Sequence, residues 1–315
     1  MSADTVVEVR DLVKRYGDTP AVDGVSFEIR RGEVYALLGE NGAGKTTIVE
    51  TLEGHRTATS GDVMVLGMDP SDAGRRLRDR IGIVLQTSGI ENQFTVREVI
   101  ELYGSCYRTR RRTDDVIDLV GLGEKADARV GSLSGGQRRR IDLALGIVGT
   151  PELLFLDEPT TGFDPSARRR SWDLIESLCA DGTTVLLTTH YLDEAEHLAD
   201  RVGVLSHGRL VAEDSPAALV ETVAGTIVSF MLPAHVDVAD ARSIFEPVLG
   251  GEIRISGRLI ETTLDEPTAA VHRLTGWAVD ARIELESLSV SRASLEDVYL
   301  SLADDAERSA TGEER

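Results

Sequence analysis

At 315 residues, 41% of them apolar, the chain is long enough for one large or two smaller domains with a sizeable core. Its formal charge of -20 excludes broad nucleic-acid binding, which needs positive charge against phosphates, and no apolar run reaches the length that crosses a bilayer. Cys106 and Cys179 have no ligand spacing around them, which excludes a disulfide framework or zinc site and predicts two part-buried thiols. The acidic start Met1-Ser2-Ala3-Asp4 has no signal-peptide character, so a cytosolic chain is expected.

In chain order, Val6 to Lys14 and Val25 to Arg30 predict two antiparallel, partly exposed strands joined through Gly17, Pro20 and Gly24. Tyr16 lies in that connection, where an aromatic face can stack on a base. The apolar run Val34 to Leu38 predicts a strand buried on both faces of a parallel sheet, and Ile48, Val49 and Leu52 follow at helical spacing. Between them stands Gly39-Glu40-Asn41-Gly42-Ala43-Gly44-Lys45-Thr46, which fits G-x-x-x-x-G-K-[ST] at a strand-to-helix turn. Ordinary residue frequencies give that pattern in roughly one chain of this length in a hundred. Glycines there let backbone N–H groups converge, and the helix N-terminus adds partial positive charge, so a triphosphate is favoured. Lys45 is expected to reach the β- and γ-phosphates and the Thr46 hydroxyl to hold Mg²⁺.

A short strand is expected around Asp62 to Leu66, then a basic stretch from Arg75 to Arg80. Three more apolar runs end in polar chemistry: Ile81 to Leu85 at Gln86, Leu153 to Leu156 at Asp157 and Glu158, and Thr184 to Thr189 at His190. In an open parallel sheet, ligands bind beyond the carboxyl ends of the strands, so these residues can converge on one phosphate group. Asp157 suits an outer-shell metal ligand, Glu158 can orient or deprotonate an attacking water, Gln86 can offer a neutral oxygen and His190 can bond the γ-phosphate. Taken singly, a strand-end Gln or His is a structural hydrogen-bonder about four times in five; the convergence of four runs carries the functional reading. Between the strands, Val99, Leu102, Tyr103 and Cys106 follow helical spacing, and Thr113-Asp114-Asp115 starts a second helix with Val116, Leu119 and Val120. Leu133-Ser134-Gly135-Gly136-Gln137 then opens a helix with the stripe Ile141, Ala144, Leu145 and Val148; Ser134 is the expected cap, and the glycines make a second candidate anion site.

These elements, with Thr161-Gly162-Phe163-Asp164, resemble in their order the nucleotide-binding subunit of ATP-binding cassette transporters over about residues 5–220. The resemblance implies an α/β P-loop NTPase cassette: a parallel core sheet, an N-terminal antiparallel β-subdomain and a helical subdomain near residues 87–150, within an ATP-binding domain spanning 5–223. It also implies ATP and Mg²⁺ held by Gly39, Glu40, Asn41, Gly42, Ala43, Gly44, Lys45, Thr46 and Thr47, with Tyr16 under adenine and metal contacts from Thr46, Gln86 and Asp157. Glu158 becomes the general base, Gln86 a sensor and His190 the γ-phosphate switch. In that family two copies pair head to tail, so Ser134, Gly135, Gly136 and Gln137 contact the ATP of the other copy and Asp164 links across the dimer. Phe163 departs from the leucine commoner in this loop, while Asp164 and Pro165 are in place.

Val202 to Ser206 and Arg209 to Ala212 flank His207-Gly208, a hairpin signal, and a helix from Pro216 to Val223 follows. Beyond it, strands at Thr226 to Leu232, Glu252 to Ser256, Leu259 to Thr263 and Ile283 to Val290, with helices at Pro267 to Thr275 and Ser294 to Leu302, predict a small α+β appendage over 224–303. Its role is expected to be contact, and residues 304–315 form a charged tail expected to be disordered. Ala293-Ser294-Leu295-Glu296-Asp297-Val298-Tyr299-Leu300 resembles the C-terminal segment of ATP-binding subunits of daunorubicin-type multidrug exporters, implying antibiotic efflux through a separate transmembrane permease at the cytoplasmic face of the membrane. The alternative is a soluble cassette ATPase acting on ribosomes or DNA, but the chain has no second cassette, basic linker, zinc finger or long coiled coil. The clusters Arg108 to Arg112, Arg138 to Arg140 and Arg168 to Arg170 read as solvated helix faces, with anionic lipid second and nucleic acid last.

Overall fold

The structure, a computed structural model, describes residues 4–84, 89–222, 225–232, 236–264, 266–300 and 302. Its described residues form two compact units, the first ending at Pro216 and the second beginning at Ala217.

The first unit opens with two long strands, β1 (Thr5–Tyr16) and β2 (Thr19–Arg30), which run further than their alternation suggested. After β3 (Val34–Leu38), helix α1 (Lys45–Leu52) and β4 (Ser60–Val65), the first sheet is complete as β2-β1-β4, all antiparallel. Val7, Val9, Leu12, Val25 and Ile29 line its buried face with Ile48 and Leu52 of α1. A short turn of helix, α2 (Pro70–Ala73), capped by Asp69, precedes the basic stretch, which forms a second, α3 (Arg75–Arg78).

The strand β5 (Ile81–Val84) leads into the helices α4 (Val96–Gly104), α5 (Thr113–Leu119) and α6 (Gly135–Ile147). Thr95 and Glu98 form a capping box on α4, but its buried face is Val96, Val99, Ile100 and Gly104. Leu102 and Tyr103 of the expected stripe are exposed, and Cys106 lies past the helix end and is exposed instead of part-buried. Helix α5 starts at Thr113, where the sequence indicates, with Arg112 in the cap position and no side-chain bond there, while Leu119 of its expected apolar set faces outward. Helix α6 is buried almost all round from Ile141 to Ile147. It touches β5 backbone to backbone, since a Cβ at Gly82 would lie 2.0 Å from the carbonyl oxygen of Gly146.

Next come β6 (Leu153–Asp157), α7 (Pro165–Ala180), β7 (Thr184–Thr189), α8 (Leu192–Leu198), β8 (Arg201–Ser206) and β9 (Arg209–Asp214). The second sheet has the order β5-β6-β7-β3-β8-β9, parallel except for the β8–β9 hairpin. That hairpin turns through His207 and Gly208, both at positive φ, 48° and 79°, as a type I′ turn requires. The order puts β6, β7 and β3 side by side. Register does the rest: Leu38 pairs with Thr189 and Asp157 with Thr188, so Gly39, His190 and Glu158 leave the sheet at one level.

The second unit holds α9 (Pro216–Thr222), which starts at the boundary residue, and then β10 (Thr226–Met231), α10 (Ala241–Leu249), β11 (Arg254–Ser256), β12 (Leu259–Leu264), α11 (Pro267–Ala281) and β13 (Glu286–Arg292). Its sheet is antiparallel in the order β11-β12-β10-β13. Helix α10 has no counterpart in the sequence reading, because Pro247 stands inside it; Ala241, Phe245 and Leu249, at i, i+4 and i+8, are buried and hold the helix despite the lost backbone donor. Phe245 meets Phe230 and Trp277 edge-on, each ring pair 5.0 Å apart. Helix α11 continues past Thr275, while β11 and β13 start later than the expected onsets at Glu252 and Ile283. In the helical segment 295–300, Leu295 and Val298 are buried, and no described helix is long and apolar enough to cross a membrane.

Candidate active site

The turn between β3 and α1 is built by backbone freedom. Gly42 and Gly44 have φ of 90° and 108°, and a Cβ at Gly44 would fall 2.5 Å from the carbonyl oxygen of Ala21. The result is a cavity of about 340 Å³ lined by Glu40, Asn41, Gly42 and Gly44 to Thr47, with Ala21, Asp157 and Glu158 from other elements. Ala43 and Gly39 stand behind it, Gly39 so close that a Cβ would meet the Leu205 carbonyl oxygen at 2.6 Å.

Lys45 is only 8% exposed, and its ammonium donates to the carbonyl oxygens of Gly39 at 2.5 Å and Glu40 at 3.0 Å. Burial lowers its pKa, opposed by the carboxylates of Glu158, Asp157 and Glu40. With two of three donors on the loop's own carbonyls, one remains for a phosphate oxygen.

Asp157 ends β6, and its Oδ1 accepts a hydrogen bond from the Thr188 hydroxyl on the neighbouring strand. Its carboxylate and the Thr46 hydroxyl line the same cavity, an oxygen donor set that fits a hard divalent cation. Glu158 sits at φ 47°, an uncommon left-handed conformation for a residue with a side chain, and its N–H donates to the Thr188 carbonyl oxygen at 2.9 Å. Its Oε1 lies 2.9 Å from Nδ1 of His190, and its Oε2 accepts from the Thr161 hydroxyl at 3.2 Å. The His190 ring lies against Tyr191, tilted by 37° with centroids 4.1 Å apart, and Tyr191 in turn lies under the Arg168 guanidinium.

The other expected residues are placed elsewhere. Ser134 caps α6 in a reciprocal box: its hydroxyl accepts from the Gln137 N–H at 3.3 Å and its own N–H donates to Gln137 Oε1 at 3.0 Å. None of Ser134, Gly135, Gly136 and Gln137 lines the cavity. Asp164 caps α7, accepting from the N–H groups of Ser166 and Ala167, each at 2.9 Å, and from the Ser166 hydroxyl, which lowers its pKa. Tyr16 is 46% exposed, with Lys14 and Arg56 over its ring, and does not line the cavity. Gln86 lies outside the described residues.

Sequence reasoning missed Thr188, Thr161 and Arg139. Arg139 contradicts the reading of the second arginine cluster as a solvated face: it is 7% exposed and bonds the backbone after β6. The available signal was its helical context, since Arg139 leads into Ile141, Leu143, Ala144, Leu145 and Ile147, apolar residues that fall on every side of the helix.

The ABC transporter family model matches residues 22–161, and that of the ABC transporter domain-containing protein-like C-terminal domain matches 226–294. The daunorubicin resistance ATP-binding protein DrrA3 of Streptomyces coeruleorubidus is 36% identical over 97% of this chain and 98% of its own length. The Nod factor export ATP-binding protein I of Burkholderia lata is 38% identical over 94% of this chain and 96% of its own. Among solved structures, cbiO1 from Clostridium perfringens, part of the ABC transporter complex cbiONQ, is 30% identical with a TM-score of 0.64, covering 70% of this chain and 93% of that one.

Proposed function

Because the chain belongs to the ABC transporter family as an ATP-binding, ATP-hydrolysing subunit of the exporter type, we propose that it drives efflux of a drug or antibiotic through a separate transmembrane subunit. The contact of His190 with Glu158, a residue that lines the phosphate cavity, is the observation that carries this reading.

The loop from Gly39 to Thr47 binds the triphosphate through its N–H groups and the start of α1, and Lys45 turns its remaining donor to the β- and γ-phosphates. Thr46 and Asp157, with Gln86, hold Mg²⁺, which neutralises phosphate charge when bound. Glu158 accepts the proton of the attacking water. An ionised carboxylate only accepts, so the Nδ1 that faces it carries a proton and Nε2 is the nitrogen left for the γ-phosphate. His190 thereby orients the base and reads the phosphate. Tyr16, at the end of β1, stacks under adenine.

A second copy completes the site. Ser134 to Gln137 stand at the start of a helix away from their own chain's cavity, so the N–H groups of Gly135 and Gly136, which take no part in the capping box, serve the ATP of a partner in a head-to-tail dimer, with Asp164 at the seam. The second unit supports assembly. Docking to the permease holds the chain at the cytoplasmic face of the membrane, and no nucleic acid takes part.

Glu158→Gln tests the base: the amide keeps size and loses the proton acceptor. Steady-state phosphate release should fall at least about tenfold while binding of a fluorescent ATP analogue persists. Hydrolysis at the parental rate would remove Glu158 from that role. For the cargo, a producing cell lacking the gene should become more sensitive to an anthracycline; unchanged sensitivity, with ATPase activity confirmed, would point to another exported compound.

A further inference from the structure

Arg139 leaves α6 sideways and enters the turn after β6. Its Nη2 donates to the carbonyl oxygens of Asp157 and Glu158, each at 2.8 Å, and its Nε to that of Pro159 at 3.1 Å. Asp142, on the same helix and 8% exposed, faces the guanidinium at 3.8 Å. Three successive carbonyls of a half-buried, non-repeating turn need donors, and one planar guanidinium supplies them in a fixed geometry that an ammonium cannot copy. The middle carbonyl belongs to Glu158, the residue held at φ 47°.

We propose that Arg139 is a positioning residue for ATP hydrolysis, fixing the Glu158 peptide so that the carboxylate faces the cavity, and tying the helix that Ser134 opens to that carboxylate. The inference rests on the reading of Glu158 as the base. Its physical content is a lever. Ser134 to Gln137 and Arg139 share one continuous helix, so a shift of α6 on engaging a partner's ATP is delivered to the backbone of the chain's own base. The segment Ser134 to Gln137 of each copy then reports on the nucleotide of the other.

Two variants of the full chain test this. Arg139→Lys keeps positive charge beside Asp142 but loses the fork. Arg139→Met with Asp142→Asn removes both charges together, so neither is left buried alone. Circular dichroism and thermal melting establish that each is folded. The expected result is a kcat at least about tenfold lower with KM for ATP changed less than about threefold, since orientation of the base and not nucleotide binding is lost. Adding Arg139→Lys to Glu158→Gln should cost no further activity, because there is no longer a base to position. A parental kcat in both folded variants overturns the proposal, as does a rise in KM as large as the fall in kcat, or full additivity with Glu158→Gln. Parental activity in Glu158→Gln alone would instead overturn the reading of the site on which the proposal stands.

Discussion

Burial sets the protonation of Glu53. This residue follows α1, is 5% exposed, and its carboxyl is pushed up to about 8 by desolvation first and by the charges of Glu50 and Asp157 second; His55, itself exposed, faces it at 3.1 Å. A raised folded-state pKa means that the neutral acid suits the folded chain. The stability it contributes is fully present below the ordinary carboxylate value of about 4.3 and is lost as pH rises through about 8. Glu53→Gln, which cannot ionise, should therefore melt higher than the parent by about 2–4 °C or more at pH 8.5, with the gap closing toward pH 4.5. Melting curves for both proteins across that range check it, and a gap independent of pH would mean that Glu53 does not titrate in the folded state. Lys45 shows the same physics with opposite sign: burial lowers its pKa, and the carboxylates of Glu158, Asp157 and Glu40 oppose that shift.

At the scale of elements, α6 carries two duties on one stretch of backbone: its capping box fixes the start, and its apolar length packs on β5 and β6. Ser134→Asp separates them. Aspartate caps as well as serine, so the helix should be retained, while a carboxylate facing a triphosphate opposes binding by charge. Light scattering on a Glu158→Gln background should show ATP-induced dimers for the parent and monomers for the variant, with ATP affinity of each monomer unchanged. A dimer of undiminished stability in the variant would remove the head-to-tail model. The legibility of elements followed their context: Val34–Leu38 and Thr184–Thr189 were read to the residue because both faces are buried and every position had to be apolar or satisfied, whereas α4 was read on the wrong face because its exposed side also carries Leu102 and Tyr103.

For the whole molecule, two separate cores have a testable consequence. Val228, Phe230, Phe245, Ile260 and Leu274 make the core of the second unit, and every residue assigned to ATP precedes Pro216. A chain ending at Pro216 should bind a fluorescent ATP analogue within about threefold of the full chain, less than about 0.7 kcal/mol, while losing dimer stability or capture of the membrane subunit. Complete loss of nucleotide affinity in a truncation that circular dichroism shows to be folded would place part of the ATP site in the second unit.

The sequence by itself determined the glycine turn before α1, the buried strands β3, β6 and β7 and the capped start of α6, because each rests on local rules: positive φ demands glycine at 42 and 44, continuous burial demands apolar runs, and a helix start demands an oxygen at 134. The pairing of His190 with Glu158 depended on strand order, since residues far apart in the chain meet only when β6 and β7 are neighbours in register. The burial of Arg139 was likewise a tertiary decision: an arginine on a helix is drawn to water unless a neighbouring turn presents unpaired carbonyls, and only the folded chain brings Asp157, Glu158 and Pro159 to it.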